Sequence, residues 1–113
     1  MTPAARAQAA IEILDRFRPL EAGNEPMDRH LIAWGRRSRF AGSGDRAAVA
    51  DLVYAALRRW RSLAWPPMAE DAEPPAGARP RLLALADEDG TLDALFSGLG
   101  HAPAPPTEAE RAW

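Results

Sequence analysis

The sequence predicts an all-α fold, and three observations carry that expectation. Of the 113 residues 25 are alanine, and leucine and arginine supply most of the rest of the helix formers, against only five Ile or Val. No segment alternates apolar and polar residues with the period of two that a half-buried strand needs. Apolar residues recur instead at three- and four-residue intervals in several separate stretches.

The first helix is expected from Pro3 to Arg18, with Thr2 as N-cap and Pro3 at the first helical position. Ala7, Ala10, Ile11, Leu14 and Phe17 form its apolar stripe, and Pro19 stops it. A second helix is expected after a cap at Asn24, with Met27, His30, Leu31 and Trp34 on one side and an end near Gly35. The third has the strongest pattern: Val49, Leu52, Val53, Ala56, Leu57, Trp60 and Leu63 make one stripe, ended by Pro66 and Pro67. Ser43 is its expected cap, and Asp45 in its first turn suits the helix dipole.

Residues 66–80 are rich in Pro, Ala and acid and read as a mobile loop. A short helix is expected over Pro80–Asp87, ended by Gly90, and Thr91 is the expected cap of another turn carrying Leu92, Leu95 and Phe96. "GHAPAPP" reads as an extended connector. "TEAE", Thr107 to Glu110, is a capping box that opens a helix the sequence does not complete, which predicts a piece of a longer protein. The expected organisation is a helical domain over 1–101 and a connector with a helix start over 102–113.

Composition narrows the chemistry. There is no cysteine, so disulfides, thiolate metal sites and cysteine nucleophiles are excluded. No apolar run reaches the roughly 18 to 20 residues of a membrane span, and the N-terminus lacks the layout of a secretory signal. A cytoplasmic protein without membrane contact is expected. The net charge of -2 hides a segregation. Residues 29–61 hold eight arginines against Asp45 and Asp51, a balance of +6; residues 62–113 hold three arginines against nine acids, a balance of -6.

Gly42, Gly44 and Ala47 in "RRSRFAGSGDRA" match the spacing G-x-G-x-x-A of a dinucleotide fingerprint. The context fails: "WGRRSRF" precedes it instead of an apolar strand, and "WPPM" stands where the ribose-binding acid belongs. His30 lies on an apolar face as a structural residue, His101 sits in the connector without a partner, and Asp87–Asp89 read as a solvated helix end. No nucleophile–base–orienter set and no metal-ligand set can be assembled, so no catalytic, metal or cofactor-binding residue is expected.

The arginines remain. Arg36, Arg37 and Arg39 precede the third helix, and Arg46, Arg58, Arg59 and Arg61 lie along it. If the second helix folds back on the third, these make one positive surface for phosphate, with Ser38 and the N–H groups at the helix start as further contacts. The alternative is that these arginines pair with the acidic half of the chain.

"GDRAAVADLVYAALRRWRS", Gly44 to Ser62, resembles the signature helix of NusB-like domains: Asp45-Arg46-Ala47, then Leu52-Val53-Tyr54, then Leu57-Arg58. With "WGRRSRFAGSGDRAA" and "LFSGLGHAPAPPTEAE" the chain looks similar to the N-terminal region of RsmB-family ribosomal RNA cytosine-5 methyltransferases. The resemblance implies a compact NusB-like bundle of about five helices that helps a larger enzyme hold ribosomal RNA. It also implies that the S-adenosylmethionine site and the nucleophilic cysteine belong to a methyltransferase domain beyond this stretch, so that this part is non-catalytic. One departure stands out: "PRLLALADEDGTLDALF" supplies less helical mass than NusB-like domains carry after the signature helix. Arg36, Arg37, Arg39, Arg46, Arg58 and Arg59 are the expected RNA contacts. Two other functions fit the same residues: a free-standing NusB-like antitermination factor, and a structural module that packs on the methyltransferase domain without touching RNA.

Overall fold

The computed structural model describes residues 1–17, 26–60, 63 and 77–111. They form six helices and no strand: α1 Pro3–Phe17, α2 Met27–Arg37, α3 Ser43–Arg58, α4 Arg79–Asp89, α5 Leu92–Leu95 and α6 Glu108–Arg111. The protein is all-α, as its composition and periodicity predict.

Helix α1 is the hub. Thr2 caps it as expected, accepting the Ala5 N–H at 3.1 Å. Its small buried residues Ala7, Ala9 and Ala10 leave room for neighbours on several sides, and α1 packs on α2, α3, α4 and α5, most extensively on α3. Ile13 and Leu14 of α1, Val49, Val53 and Ala56 of α3, Leu82 and Leu83 of α4, and Phe96 fill the space between them. Burying each side chain of the Val, Leu or Phe kind contributes roughly 1.5–3 kcal/mol, and Met27, Trp34, Trp60 and Leu63 extend the same core.

Helix boundaries depart from expectation for identifiable reasons. Helix α2 starts after Pro26 and continues through Gly35 to Arg37; the Asn24 cap lies outside the described residues. Gly42, not Ser43, is the N-cap of α3: Ser43 is already helical, and Asp45 reaches back to accept the Gly42 N–H at 3.2 Å. Helix α3 ends at Arg58 instead of running to Pro66. Arg59 and Trp60 donate to the carbonyls of Ala56 and Leu57, both at 3.3 Å, and this tighter turn sends Trp60 into the core.

Of the expected loop, residues 66–76 lie outside the described set, whereas Gly77 to Pro80 are built into the fold. The Ala78 N–H donates to Asp15 of α1 at 2.9 Å, and α4 begins at Arg79. Gly90, at φ +72°, closes α4, and the Thr91 N–H returns to the Ala86 carbonyl at 2.8 Å. Thr91 is the N-cap residue of α5, as expected, but its hydroxyl donates back to the Ala86 carbonyl at 3.4 Å and makes no side-chain cap bond. The connector is a docked turn: the Gly98 N–H donates to the Pro103 carbonyl at 2.9 Å, and Pro103 and Pro106 are buried. The capping box forms as its residue types predict, with Thr107 N–H to Glu110 at 2.8 Å and Glu110 N–H to Thr107 at 3.1 Å. Arg79 then grips Glu110 at 3.0 Å and Arg111 reaches Asp93 at 2.9 Å, which folds residues 102–111 back onto α4 and α5.

Candidate nucleic-acid interface

The joint between α2 and α3 carries four of the six candidate arginines. Because α2 runs on to Arg37, Arg36 and Arg37 project from its last turn, about 100° apart around the axis. The chain then turns tightly. Ser38 donates to the Trp34 carbonyl and Ala41 donates to the Ser38 carbonyl, each at 2.9 Å. Ser38 and Ala41 are both buried, so the two residues between them, Arg39 and Phe40, are held outward at the tip.

Helix α2 meets α3 at two points, in antiparallel sense. At one end Tyr54 of α3 donates to Asp28 of α2, a bond that raises the tyrosine pKa. At the other end buried Gly35 faces the Arg46 side chain: a Cβ placed there would meet Arg46 Cδ at 3.5 Å. Arg46 donates to the Ala41 carbonyl at 3.2 Å, and its side chain lines one hollow with Arg36 and Ile32. Arg37 lines a different hollow, toward Glu12 and Asp15 of α1.

The acid inside this cluster is already occupied. Asp45 accepts from Arg6 Nε at 3.0 Å and Nη2 at 2.7 Å, and its other oxygen lies 3.6 Å from the N-terminal ammonium. The Arg6 hydrogen bonds, followed by the Gly42 N–H, hold its carboxyl below the usual aspartate range. Its charge therefore offsets Arg6 and the N-terminus rather than the arginines of the joint. The same arrangement alters one expectation. Asp45 sits over the start of α3 and takes the Gly42 N–H, and Ser38 is buried, so neither presents itself to phosphate.

The six arginines do not form one continuous cluster. Arg36, Arg37, Arg39 and Arg46 gather at the joint, all exposed, and none has an ion-pair partner among the described residues. Arg58 is exposed but lies roughly 18 Å along α3 from Arg46, at 1.5 Å of rise per residue. Arg59 is claimed by the acidic half: its two terminal nitrogens bind the Glu88 carboxylate at 2.6 and 2.7 Å. This forked bond raises the Arg59 pKa and lowers that of Glu88. Pairing with the acidic half thus holds at Arg59, while the joint stays open. Arg61 lies outside the described residues.

His30 behaves as a structural residue. Its ring meets Phe17 edge-on at 5.3 Å, and its Nε2 has no hydrogen-bond partner among the described residues. Two residues that periodicity does not reveal matter more. Arg81, only 1% exposed, lies over the Trp60 ring at 4.3 Å and donates to the carbonyls of Trp60 and Gly77, both at 3.0 Å. Burial pushes its pKa down from the ordinary arginine value. Phe40 is 73% exposed and forms one rim of a groove of ≈ 900 Å³ against α1. Its sequence signal was isolation: a phenylalanine in "RSRFAGSG" with no apolar partner at helical spacing.

Among the described residues there is no group of three or more His, Asp or Glu placed to hold a metal ion, and no helix is long and apolar enough to cross a membrane. No protein-family model, no curated protein and no solved structure matches the chain.

Proposed function

We propose that the chain is an RNA-binding module of a ribosomal RNA cytosine-5 methyltransferase, with the α2–α3 joint as its RNA contact. One observation carries the RNA part: four exposed arginines project from a joint whose own acid is neutralised by Arg6. Guanidiniums fixed on such a frame suit phosphate, which they grip through paired N–H donors. Arg36, Arg37, Arg39 and Arg46 are the primary contacts in this reading. Arg58 extends the surface along α3, and Arg59 joins only if RNA displaces Glu88. The methyltransferase part rests on the resemblance of Gly44–Ser62 and the flanking segments. In it, methyl transfer and S-adenosylmethionine belong to another domain, residues 1–113 position ribosomal RNA for that domain, and the protein works in the cytoplasm.

Filter binding of the chain to a 16S ribosomal RNA fragment tests the reading. Affinity is expected to fall steeply between about 50 and 200 mM salt, because each phosphate contact releases condensed counterions. Absence of binding, or affinity that ignores salt, would count against it.

A further inference from the structure

The groove beside the arginine joint has a composition that phosphate contacts alone do not explain. It runs between α1 and the 98–101 turn, with Phe40 on one rim and Leu99 and His101 on the other. Phe40 and Leu99 are 73% and 77% exposed, the two most exposed large apolar side chains among the described residues. Its lining is mostly apolar and includes buried Ala9 and Trp34; Gln8 and Glu12, hydrogen-bonded to each other at 3.1 Å, and Ser38 add polar groups. Arg39 adjoins Phe40 at the tip of a turn that buried Ser38 and Ala41 hold in place.

We infer that this groove accepts an unpaired nucleobase of single-stranded RNA, stacked on Phe40. The inference rests on the RNA-binding reading and specifies its substrate. The charge layout decides which part of a nucleotide goes where. Glu12 in the lining repels phosphate but accepts hydrogen bonds from base amino groups, while exposed Arg39 follows outside beside Phe40 and Arg37 lines the neighbouring hollow that shares Glu12 and Ser38. A nucleotide therefore enters base first, leaving its phosphate on the arginines. The aromatic face gives the base a stacking surface of the kind that single-strand binders use. A base held in a helix by its pairing partner cannot reach the floor, so the groove selects unpaired strands, and the open arginine joint binds either form.

The test is a fluorescence-anisotropy titration of the whole chain with a short labelled single-stranded RNA and with the same strand annealed to its complement. The single strand is expected to bind more tightly. Phe40→Ala is expected to weaken single-strand binding by about tenfold, the scale of base–aromatic stacking, and to leave duplex binding and the salt slope unchanged. Phe40→Trp is expected to keep the preference. The phenyl ring is exposed, so both variants should melt like the parent by circular dichroism, which separates lost stacking from lost folding. Equal binding of single strand and duplex, or a Phe40→Ala variant indistinguishable from the parent, overturns the inference and leaves the RNA-binding reading standing. No salt-dependent binding to either form brings down both. Phe40-dependent binding of an acidic peptide in place of RNA overturns the inference in favour of a protein partner.

Discussion

Arg6 of α1 donates two hydrogen bonds to a single oxygen of Asp45 on α3, at 3.0 and 2.7 Å. The other oxygen of Asp45 takes the Gly42 N–H. One carboxylate thereby joins two helices, caps α3 and withdraws its charge from the arginines around it.

That arrangement makes stability depend on Asp45 with a definite sign. Its folded pKa lies below the unfolded value, so its contribution is present above the unfolded pKa, near 3.9, and is lost as pH falls through the folded pKa. Asp45→Asn is expected to lower Tm at pH 7 and to approach the parent as the solution is acidified below pH ~4. Thermal melts followed by circular dichroism across that range check it. Because the substitution removes a negative charge beside the joint, RNA affinity of the folded variant should not fall.

Arg81 is expected to be the arginine whose loss costs the fold most. Arg81→Ala removes the cation over Trp60, leaves the Trp60 and Gly77 carbonyls without their donor and opens a cavity. The expected loss is about 2–4 kcal/mol in urea unfolding. Arg81→Lys keeps a charge but loses the planar fork, and it should fall between parent and alanine. A loss within error of zero for Arg81→Ala would show that the stack contributes nothing.

Gly98 combines a positive φ, +72°, with no room for a Cβ, which would stand 2.7 Å from Pro105 Cδ. Gly98→Ala is expected to destabilise the protein by roughly 1–3 kcal/mol and to loosen the 98–106 turn. Since Leu99 and His101 wall the groove, the variant should also lose part of the preference for single strands while keeping its salt slope.

The Arg59–Glu88 pair separates a structural arginine from the RNA surface. Glu88→Gln breaks the forked ion pair with Arg59, and the variant is expected to bind RNA no more weakly than the parent. Arg59→Ala should lower Tm slightly and leave the salt slope of binding unchanged. The Tm effect should shrink in high salt, because the pair is exposed and screened. Thermal melts and RNA titrations at two salt concentrations check both.

The helices were legible in the sequence wherever apolar period and capping chemistry agreed. Thr2, the stripe through Val49 and Val53, Gly90 and the Thr107–Glu110 box all act as their residue types imply. Boundaries failed where a tertiary contact outweighed local preference. Ser43 is a good cap, but Asp45 is pinned by Arg6 on another helix and serves Gly42 instead. The stripe through Leu63 implied a helix as far as Pro66, yet the stack of Arg81 on Trp60 lies where the chain has already turned. For the site, "RRSRF" pointed to the joint, but only the fold distinguishes Arg36 and Arg46, which share a hollow, from Arg59, held by Glu88 29 residues away. The groove was invisible because its two rims, Phe40 and Leu99, come from distant turns.

Two variants in one RNA titration over a range of salt decide whether the α2–α3 joint is the RNA surface. Arg36→Ala/Arg37→Ala/Arg39→Ala removes the joint, and Arg58→Ala/Arg59→Ala removes the far end of α3. The triple variant is expected to bind much more weakly than the parent. Its plot of log K against log salt should flatten by about 0.7 for each single-strand phosphate it no longer neutralises. The double variant is expected to lose at most the one contact of Arg58, a slope change of about 0.7 and a much smaller loss of affinity than the triple variant. Equal slopes and affinities for the parent and the triple variant would show that the joint does not hold RNA.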